Sequence, residues 1–174
     1  NCVVTCPVKA ISQPIGEEMQ VLAQIDAALA TAPQVTQSPE GRPRILVFGC
    51  EWSGHAAAEL AGANKLNYPA EARLIRARCS ARFDPTHVLW ALFSGADGVF
   101  LGACPPGECH YVNGNRRAEE RIDTLRGLLA QSGFDPRRVR LEWITPDDPH
   151  DFVKKITDFT DLVKALGPSP VLGE

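Results

Sequence analysis

Short apolar runs alternate with longer amphipathic segments along most of the chain. Four of these runs have the length of a strand, and each is followed by a stretch whose apolar residues recur at helical spacing. The runs cover residues 45–48, 73–77, 99–101 and 139–144. Strands that alternate with helices in this way form parallel sheets with helices on both faces. The pattern therefore predicts an α/β fold with a doubly wound, four-stranded parallel sheet.

The segments between these runs have typical helix ends. Asp84 followed by Pro85 is typical of a cap and a first helical turn, and Gly95 and Gly133 are typical stops. Helices are predicted over residues 56–60, from 85 to about 94, over 115–131 and over 149–166. Four β-α units in sequence are typical of flavodoxin-like and Rossmann-like folds.

The region before the first strand predicts a connector. Met19, Leu22, Ile25 and Leu29 recur at helical spacing and predict one amphipathic helix that could lie on a neighbouring domain. Residues 31–43 are polar with three prolines, as in an exposed linker. We therefore assign residues 12–43 to the helix and linker, 44–167 to the main domain and 168–174 to a tail.

Composition limits the classes of function. The chain has 174 residues, of which 44% are hydrophobic, enough for one globular core. A net charge of -3 leaves no positive excess to neutralise phosphates, so we expect no nucleic acid partner. No apolar run approaches the ~18 residues that span a bilayer, so we expect no direct membrane insertion. Without an initiator Met or a signal-peptide pattern, the sequence is expected to be part of a longer chain.

Six cysteines carry the candidate chemistry. A chain with such a core needs no disulfides to fold, so metal or redox chemistry is the leading interpretation. Cys50, Cys79 and Cys104 each follow a predicted strand, and Cys109 lies in the loop after the third strand. Ligands of open parallel sheets bind beyond the carboxyl ends of the strands. We therefore expect these four thiols to converge into one four-sulfur site.

Four thiolates suit either zinc or an iron-sulfur cluster. Structural zinc usually takes two closely spaced cysteine pairs, and residues 50–109 contain only one, Cys104 and Cys109, which disfavours zinc without excluding it. In the loop over residues 102–111, two prolines give stiffness and Gly107 is expected to let backbone amides approach sulfur, which favours an electron carrier. A docking module, zinc-bound or metal-free, remains an alternative. A disulfide-reducing enzyme is a third, although no base or substrate motif accompanies the cysteines.

The first residues resemble the end of a bacterial ferredoxin. Cys2 and Cys6, followed by Pro7, match the third and fourth cysteines of the run C-x2-C-x2-C-x3-C-P. We interpret residues 1–11 as the C-terminal end of a truncated 4Fe-4S ferredoxin module. Cys2 and Cys6 are then cluster ligands only in the longer parent chain.

Segments throughout the main domain match one known family: residues 48–52, 61–62, 68–69, 76–82, 84–85, 95–99, 102–111, 114–115 and 140–144. In these segments the domain resembles the delta subunit of methyl-viologen-reducing hydrogenase, a 2Fe-2S electron-transfer protein of the heterodisulfide reductase system. The resemblance implies a 2Fe-2S cluster bound by Cys50, Cys79, Cys104 and Cys109. It implies a module that carries electrons within an oxidoreductase complex, with no catalytic residue or substrate site of its own.

One position departs from the family. Members often carry a second cysteine three residues after the one that matches Cys50, and Ser53 stands there in this chain. If the cluster is kept, the resemblance leaves the four cysteines as its ligands. If the missing cysteine is essential, Ser53 would have to serve as an oxygen ligand, or the cluster would be lost.

The order of ferredoxin end, helix and domain is similar to fusions of the heterodisulfide reductase A subunit with the delta module, as in the quinone-interacting oxidoreductase complex. This similarity implies FAD and 4Fe-4S clusters only in the longer parent protein. It implies other subunits of a heterodisulfide-reductase-like or hydrogenase complex as partners, and a cytoplasmic location.

Several charged and aromatic side chains near the cysteines have two interpretations. His110 either hydrogen-bonds a sulfur or is solvated. The arginines around Cys79 either offset thiolate charge and dock an acidic partner or form a solvated basic face. These arginines are Arg76, Arg78 and Arg82. No special role is expected for His55, His87 or His150.

Overall fold

The structure is a computed structural model that describes residues 3, 6–8, 10–12, 16–30 and 42–170. Cys2, the predicted linker over residues 31–41 and the last four residues of the predicted tail lie outside the described residues. The elements are α1 (Glu18–Leu29), β1 (Ile45–Cys50), α2 (Gly54–Ala63), β2 (Ala72–Ala77), α3 (Pro85–Phe93), β3 (Gly98–Ala103), α4 (Gly114–Gln131), β4 (Val139–Trp143) and α5 (Pro149–Leu166). Short 3-10 turns occupy Ser80–Arg82 and Pro136–Arg138.

The four strands form one parallel sheet in the order β2-β1-β3-β4. Helices α2 and α5 cover one face, and α1, α3 and α4 cover the other. The predicted doubly wound α/β fold is therefore confirmed. The strand order reverses between β1 and β3, which is where such sheets place their ligand crevice. Every residue of both these central strands is buried.

Side chains of β1 alternate between the two cores of the domain. Leu46 and Phe48 pack with α1, α3 and α4, whereas Ile45 and Val47 pack with α2 and α5. Because β1 is covered on both faces, a continuous apolar run replaces the apolar-polar alternation of a half-exposed strand. Each such side chain stabilises the fold by about 1.5–3 kcal/mol on full burial. In the part of the chain that the structure describes, no helix is both long and apolar enough to cross a membrane.

Helix α1 packs on the domain that follows it. Val21, Ile25 and Leu29 are buried in the core shared with α3 and α4. The indole Nε1 of Trp90 donates a hydrogen bond of 2.7 Å to the Asp26 carboxylate and fixes the helix to α3. Met19, expected on the apolar face, is 73% exposed, so that assignment is wrong. Val21 faces the core in place of Met19, so the helix is rotated about its axis relative to the predicted orientation.

A buried arginine joins the elements at the amino edge of the sheet. The guanidinium of Arg138, only 3% exposed, donates hydrogen bonds to four carbonyl oxygens at 2.9–3.2 Å. They belong to Asp97, Leu166, Gly167 and Pro168. The Asp97 carboxylate accepts from the backbone amides of Arg44 and Ser169. The end of α5 is thereby held against the starts of the strands.

The Arg138→Met variant should be less stable to unfolding than the wild-type domain. The change leaves four carbonyls without this donor, and a buried group left unpaired costs about 1–3 kcal/mol. We expect the free energy of unfolding in urea to fall by about 3 kcal/mol or more. Arg137→Met is the matched control, because Arg137 is exposed and pairs only with Asp135 among the contacts described. Equal losses in the two variants would contradict this role for Arg138.

His87 is buried in the first turn of α3. Its Nδ1 accepts a hydrogen bond of 3.3 Å from the Asp84 amide, and it completes a capping box with that residue. Its Nε2 meets no hydrogen-bond partner among the described residues. Burial lowers the pKa of His87 below its ordinary value of 6.5, although the carboxylates of Asp84 and Glu18 oppose the shift. The neutral ring is therefore the form that the fold accommodates.

This histidine makes stability depend on pH. Because the pKa is lower in the folded state, the contribution of neutral His87 is complete above pH 6.5 and is lost as the pH falls toward the folded pKa. Between about pH 7.5 and 5.5, the wild-type domain should lose more unfolding free energy than His87→Gln, which keeps a capping-box side chain that does not titrate. Urea unfolding at both pH values measures the difference. Identical pH slopes would show that His87 titrates normally.

Candidate metal centre

The fold places all four central cysteines at the carboxyl edge of the sheet. Cys50 is the last residue of β1 and Cys104 directly follows β3. Cys79 lies two residues beyond β2, and Cys109 lies in the loop between β3 and α4. The first three are buried, and Cys109 is half-buried.

The thiols form two pairs. The Sγ atoms of Cys50 and Cys104 are 3.7 Å apart, because Gly49 pairs with Gly102 and the two strand ends lie side by side. Cys79 and Cys109 interact with each other through their side chains. Both of their Sγ atoms lie against Gly114: a Cβ there would clash with the Cys79 sulfur and would lie 3.4 Å from the Cys109 sulfur.

The single four-sulfur site that the sequence predicts stays a prediction, and the described residues show its four thiols as two pairs. Within the described ranges, no three His, Cys, Asp or Glu side chains converge as they would around one metal ion. The pairs differ in origin, since Cys50 and Cys104 end neighbouring central strands, whereas Cys79 and Cys109 lie in loops that lead to helices. They are nevertheless close enough for charge on Cys79 to raise the pKa of Cys50.

The two thiols of the first pair have pKa values shifted in opposite directions. The hydrogen bond from Cys50 lowers the pKa of Cys104 to about 6, and the backbone amide of His110 acts in the same direction. The same hydrogen bond, together with burial, raises the pKa of Cys50 far above its usual range. Of the two thiols, Cys104 therefore loses its proton more readily than Cys50.

Backbone dipoles at the edge favour negative charge on sulfur. Amides of Trp52, Ala81 and His110 lower the pKa values of Cys50, Cys79 and Cys104 respectively, although burial still leaves the pKa of Cys79 at about 11. Helices α2 and α4 also begin at this edge, and helix N-termini stabilise nearby anions. The edge is therefore suited to hold several thiolates.

Close backbone contact brings the strand ends together. A Cβ on Gly54, the first residue of α2, would lie 2.9 Å from the Cα and the carbonyl oxygen of Gly102. Only glycine at both positions lets the helix start this close to β3. The sequence pattern did not identify this pair, because a glycine at a close approach looks the same in sequence as a glycine in a loop.

Asn115 holds the cysteine loop in place. Its side chain is 1% exposed, and its Nδ2 donates to the carbonyls of Cys104 at 3.0 Å and Pro105 at 2.8 Å. The amide of Glu108 donates to the Pro105 carbonyl at 3.0 Å, and Gly107 has a φ of 85°, as a tight turn with glycine in third position requires. Sequence reasoning missed Asn115, although Gly114 and Asn115 form one of the matching segments.

The amide that lowers the pKa of Cys104 belongs to His110, in the same loop as Gly107. The imidazole of His110 stacks on the Trp52 indole, with ring centroids 3.7 Å apart and planes within 12°. The ring thus covers the rim of the site, and Trp52 remains 44% exposed.

The three arginines near Cys79 have different surroundings. Arg76 is exposed and lies 3.9 Å from the Glu51 carboxylate, and Arg78 is exposed. Arg82 instead donates to the Gly16 carbonyl through Nε at 2.8 Å and Nη2 at 2.6 Å. Arg82 therefore secures the segment before α1.

Cys6 of the N-terminal segment lies apart from the two pairs. Its sulfur accepts a hydrogen bond of 3.3 Å from the Ala10 amide. It lines a cleft of about 480 Å³ together with Ala81, Arg82, His87 and Arg121. The cleft thus joins the N-terminal segment to the turn that follows Cys79.

The fold and the paired thiols define a class: a doubly wound α/β domain with a cysteine site at its switch point. Residues 45–167 match the family described as methyl-viologen-reducing hydrogenase, delta subunit. The iron-sulfur D subunit of the F420-non-reducing hydrogenase of Archaeoglobus profundus is 40% identical over 131 residues, which are 75% of this chain and 96% of that protein. The chain therefore belongs to this delta subunit family, and the resemblance predicted from the sequence is confirmed.

A second group of relatives is longer. The A subunit of the ferredoxin:CoB-CoM heterodisulfide reductase of Methanosarcina mazei is 40% identical over 152 residues, or 87% of this chain. The A subunit of the ferredoxin/F(420)H(2)-dependent CoB-CoM heterodisulfide reductase of Methanosarcina acetivorans is 39% identical over the same length. The chain spans only 18% of each of these proteins.

Gly114 offers a test of the second thiol pair. In Gly114→Ala, the new Cβ would collide with the Cys79 sulfur, and overpacking of this kind costs about 1–3 kcal/mol. Gly127→Ala in the same helix is the matched control, because no atom lies within 4 Å of its Cβ position and alanine should stabilise the helix by about 0.5–1 kcal/mol. Unfolding in urea under reducing conditions gives both values. A Gly114→Ala variant as stable as Gly127→Ala would contradict the packing of Cys79 on Gly114.

Proposed function

We propose that this domain is an electron carrier that binds a 2Fe-2S cluster through Cys50, Cys79, Cys104 and Cys109. The observation that carries the proposal is the arrangement of the four thiols in two pairs at one edge of the sheet. Such a cluster contains two irons with two protein ligands on each. A zinc ion instead takes four ligands in one tetrahedron. Two adjacent thiol pairs thus fit a two-iron cluster in which each iron is bound by one pair.

The surroundings of the thiols support the same assignment. The amides of Trp52, Ala81 and His110 face the sulfurs and would donate to bound thiolates. Three of the four cysteines are buried, which keeps bulk water from the site. When bound, the cluster would supply reversible one-electron reduction. The protein would hold the thiolates, orient them and stabilise their charge.

Partners are proposed from the names of the relatives. Since these belong to a hydrogenase and to heterodisulfide reductases, we propose that the domain works inside a cytoplasmic complex of this type. It would carry electrons between a partner oxidoreductase and a subunit with flavin and 4Fe-4S clusters, without a substrate site of its own. Cys2 and Cys6 would bind a 4Fe-4S cluster, and FAD would be present, only in the longer parent protein.

The position of Cys6 agrees with such a chain of carriers. Cys6 and Ala81 line the same cleft, and Ala81 lies two residues after Cys79. A ferredoxin module that ends at residue 11 would therefore lie beside the turn that follows Cys79. Such a position would favour electron transfer between the two modules.

Alanine variants of the four cysteines test the proposed ligands. Cys104→Ala should lose the cluster, because one iron would keep a single thiolate and, among the described residues, no spare thiol lies beside it. Cys50→Ala, Cys79→Ala and Cys109→Ala should do the same. Iron and acid-labile sulfide, measured on anaerobically purified protein, report the loss.

Cys6→Ala and His110→Ala are the controls for these variants. Cys6 lies outside the two pairs, and the His110 ring stacks on Trp52, so both variants should keep wild-type iron and sulfide. Full iron and sulfide in Cys104→Ala would disprove the ligand assignment. A colourless, iron-free wild-type protein that holds zinc or no metal would favour the docking module instead.

A further inference from the structure

Two buried serines flank the thiol pairs and have unused hydroxyl groups. Ser53 is fully buried and Ser80 is 1% exposed. Neither hydroxyl meets a well-aligned hydrogen-bond partner among the described residues. A buried hydroxyl left unpaired costs about 1–3 kcal/mol, and folded proteins leave few of them. The two hydroxyls therefore suggest that acceptors at this edge belong to a bound group.

Ser53 lies beside the first pair, in the position that caps α2. Serine at a helix cap ordinarily accepts a hydrogen bond from a helix amide, but this side chain makes no such bond. Its backbone is fully used, since the amide donates to the Cys50 carbonyl at 3.1 Å and the carbonyl accepts from Ala57 at 2.8 Å. The hydroxyl is instead close enough to Cys104 to lower the pKa of that thiol. The Ser53 hydroxyl is thus not used by the helix and lies beside the Cys104 thiol.

Ser80 is the neighbour in sequence of Cys79, a member of the second pair. It directly follows Cys79 and opens the 3-10 turn at Ser80–Arg82, where its carbonyl accepts from the Phe83 amide at 3.0 Å. This turn packs against β1, β3 and the start of α4. Ser80 is therefore buried in a turn that packs on β1, β3 and α4, directly after Cys79.

Two other hydroxyls in the domain allow a comparison: one is hydrogen-bonded and one has no partner among the described residues. Thr160, fully buried in α5, donates to the Ile156 carbonyl at 2.8 Å. Ser169 has a buried hydroxyl without a partner among the described residues, but it lies at the opposite edge of the sheet, beside Asp97. Ser169 therefore resembles Ser53 and Ser80 in its unpaired, buried hydroxyl, but it lies away from the cysteine edge.

We infer that Ser53 and Ser80 are positioning residues whose hydroxyls donate hydrogen bonds to the sulfurs of the bound cluster and raise its reduction potential. The inference rests on the proposed function. Reduction adds one negative charge to the cluster, and a donor to sulfur stabilises the more negative state. On this account Ser53 is a donor to sulfur and does not ligate iron through oxygen.

The reduction potential of the cluster in variants that carry alanine at each serine tests the inference. Ser53→Ala, Ser80→Ala and the double variant should keep wild-type iron and sulfide and be reduced less readily. We expect the double variant to have at least a tenfold smaller equilibrium constant for reduction, which is a midpoint lower by about 59 mV for one electron. Ser169→Ala should leave the midpoint unchanged. Titrations followed by the EPR signal of the reduced cluster give these midpoints.

Proton hyperfine spectroscopy gives a second measurement. In the reduced wild-type protein, the hydroxyl protons should couple to the cluster and exchange in D2O. Ser53→Ala and Ser80→Ala should each remove one exchangeable coupling, which a purely structural serine would not do. Retention of all these couplings in both variants would overturn the inference.

The remaining outcomes separate the inference from the proposed function. Unchanged midpoints in alanine variants with full iron and sulfide would overturn the donor role and leave the electron carrier intact. Loss of iron in Ser53→Ala alone would identify an oxygen ligand and also overturn it. A wild-type protein without iron or sulfide would overturn both the proposed function and the inference.

Discussion

The contact between Cys50 and Cys104 depends on how closely the central strands and the helix after β1 approach one another. Gly54 and Gly102 meet backbone to backbone, and parallel pairing of β1 with β3 brings the two strand ends side by side. The sulfurs lie 3.7 Å apart as a result. The network around Arg138 fixes the opposite edge of the same sheet, so that the cysteine edge is built on a rigid frame.

The carboxyl edge of the sheet, where the cysteines lie, determines the chemistry of the site. A switch point between β1 and β3 places helix starts and loop amides around the sulfurs, and these dipoles favour thiolates. Burial opposes the charge, as the raised pKa of Cys79 shows. A bound cluster would resolve this conflict, because its irons would replace the thiol protons and its sulfurs would accept hydrogen bonds from the buried donors. The balance of dipoles, burial and paired thiols is the physical basis of the proposed electron carrier.

Much of this arrangement could be predicted from the sequence, because the periodicity of strands and helices alone places three cysteines at strand ends. Pairing could not be predicted, since it depends on how far the loops after β2 and β3 fold back onto Gly114. The roles of Asn115 and of the two buried serines depend on burial, which a single sequence does not show. The rotation of α1 was missed because Val21 and Met19 are both apolar and fit helical spacing.

The most direct test of the account is the metal content of the wild-type protein, purified without oxygen, together with its EPR and iron Mössbauer spectra after reduction by dithionite. The account predicts two irons and two sulfides per chain, a spin-half signal, and iron sites with sulfur ligands only. Zinc in place of iron, or four reduced thiols with no metal after anaerobic handling, would contradict it.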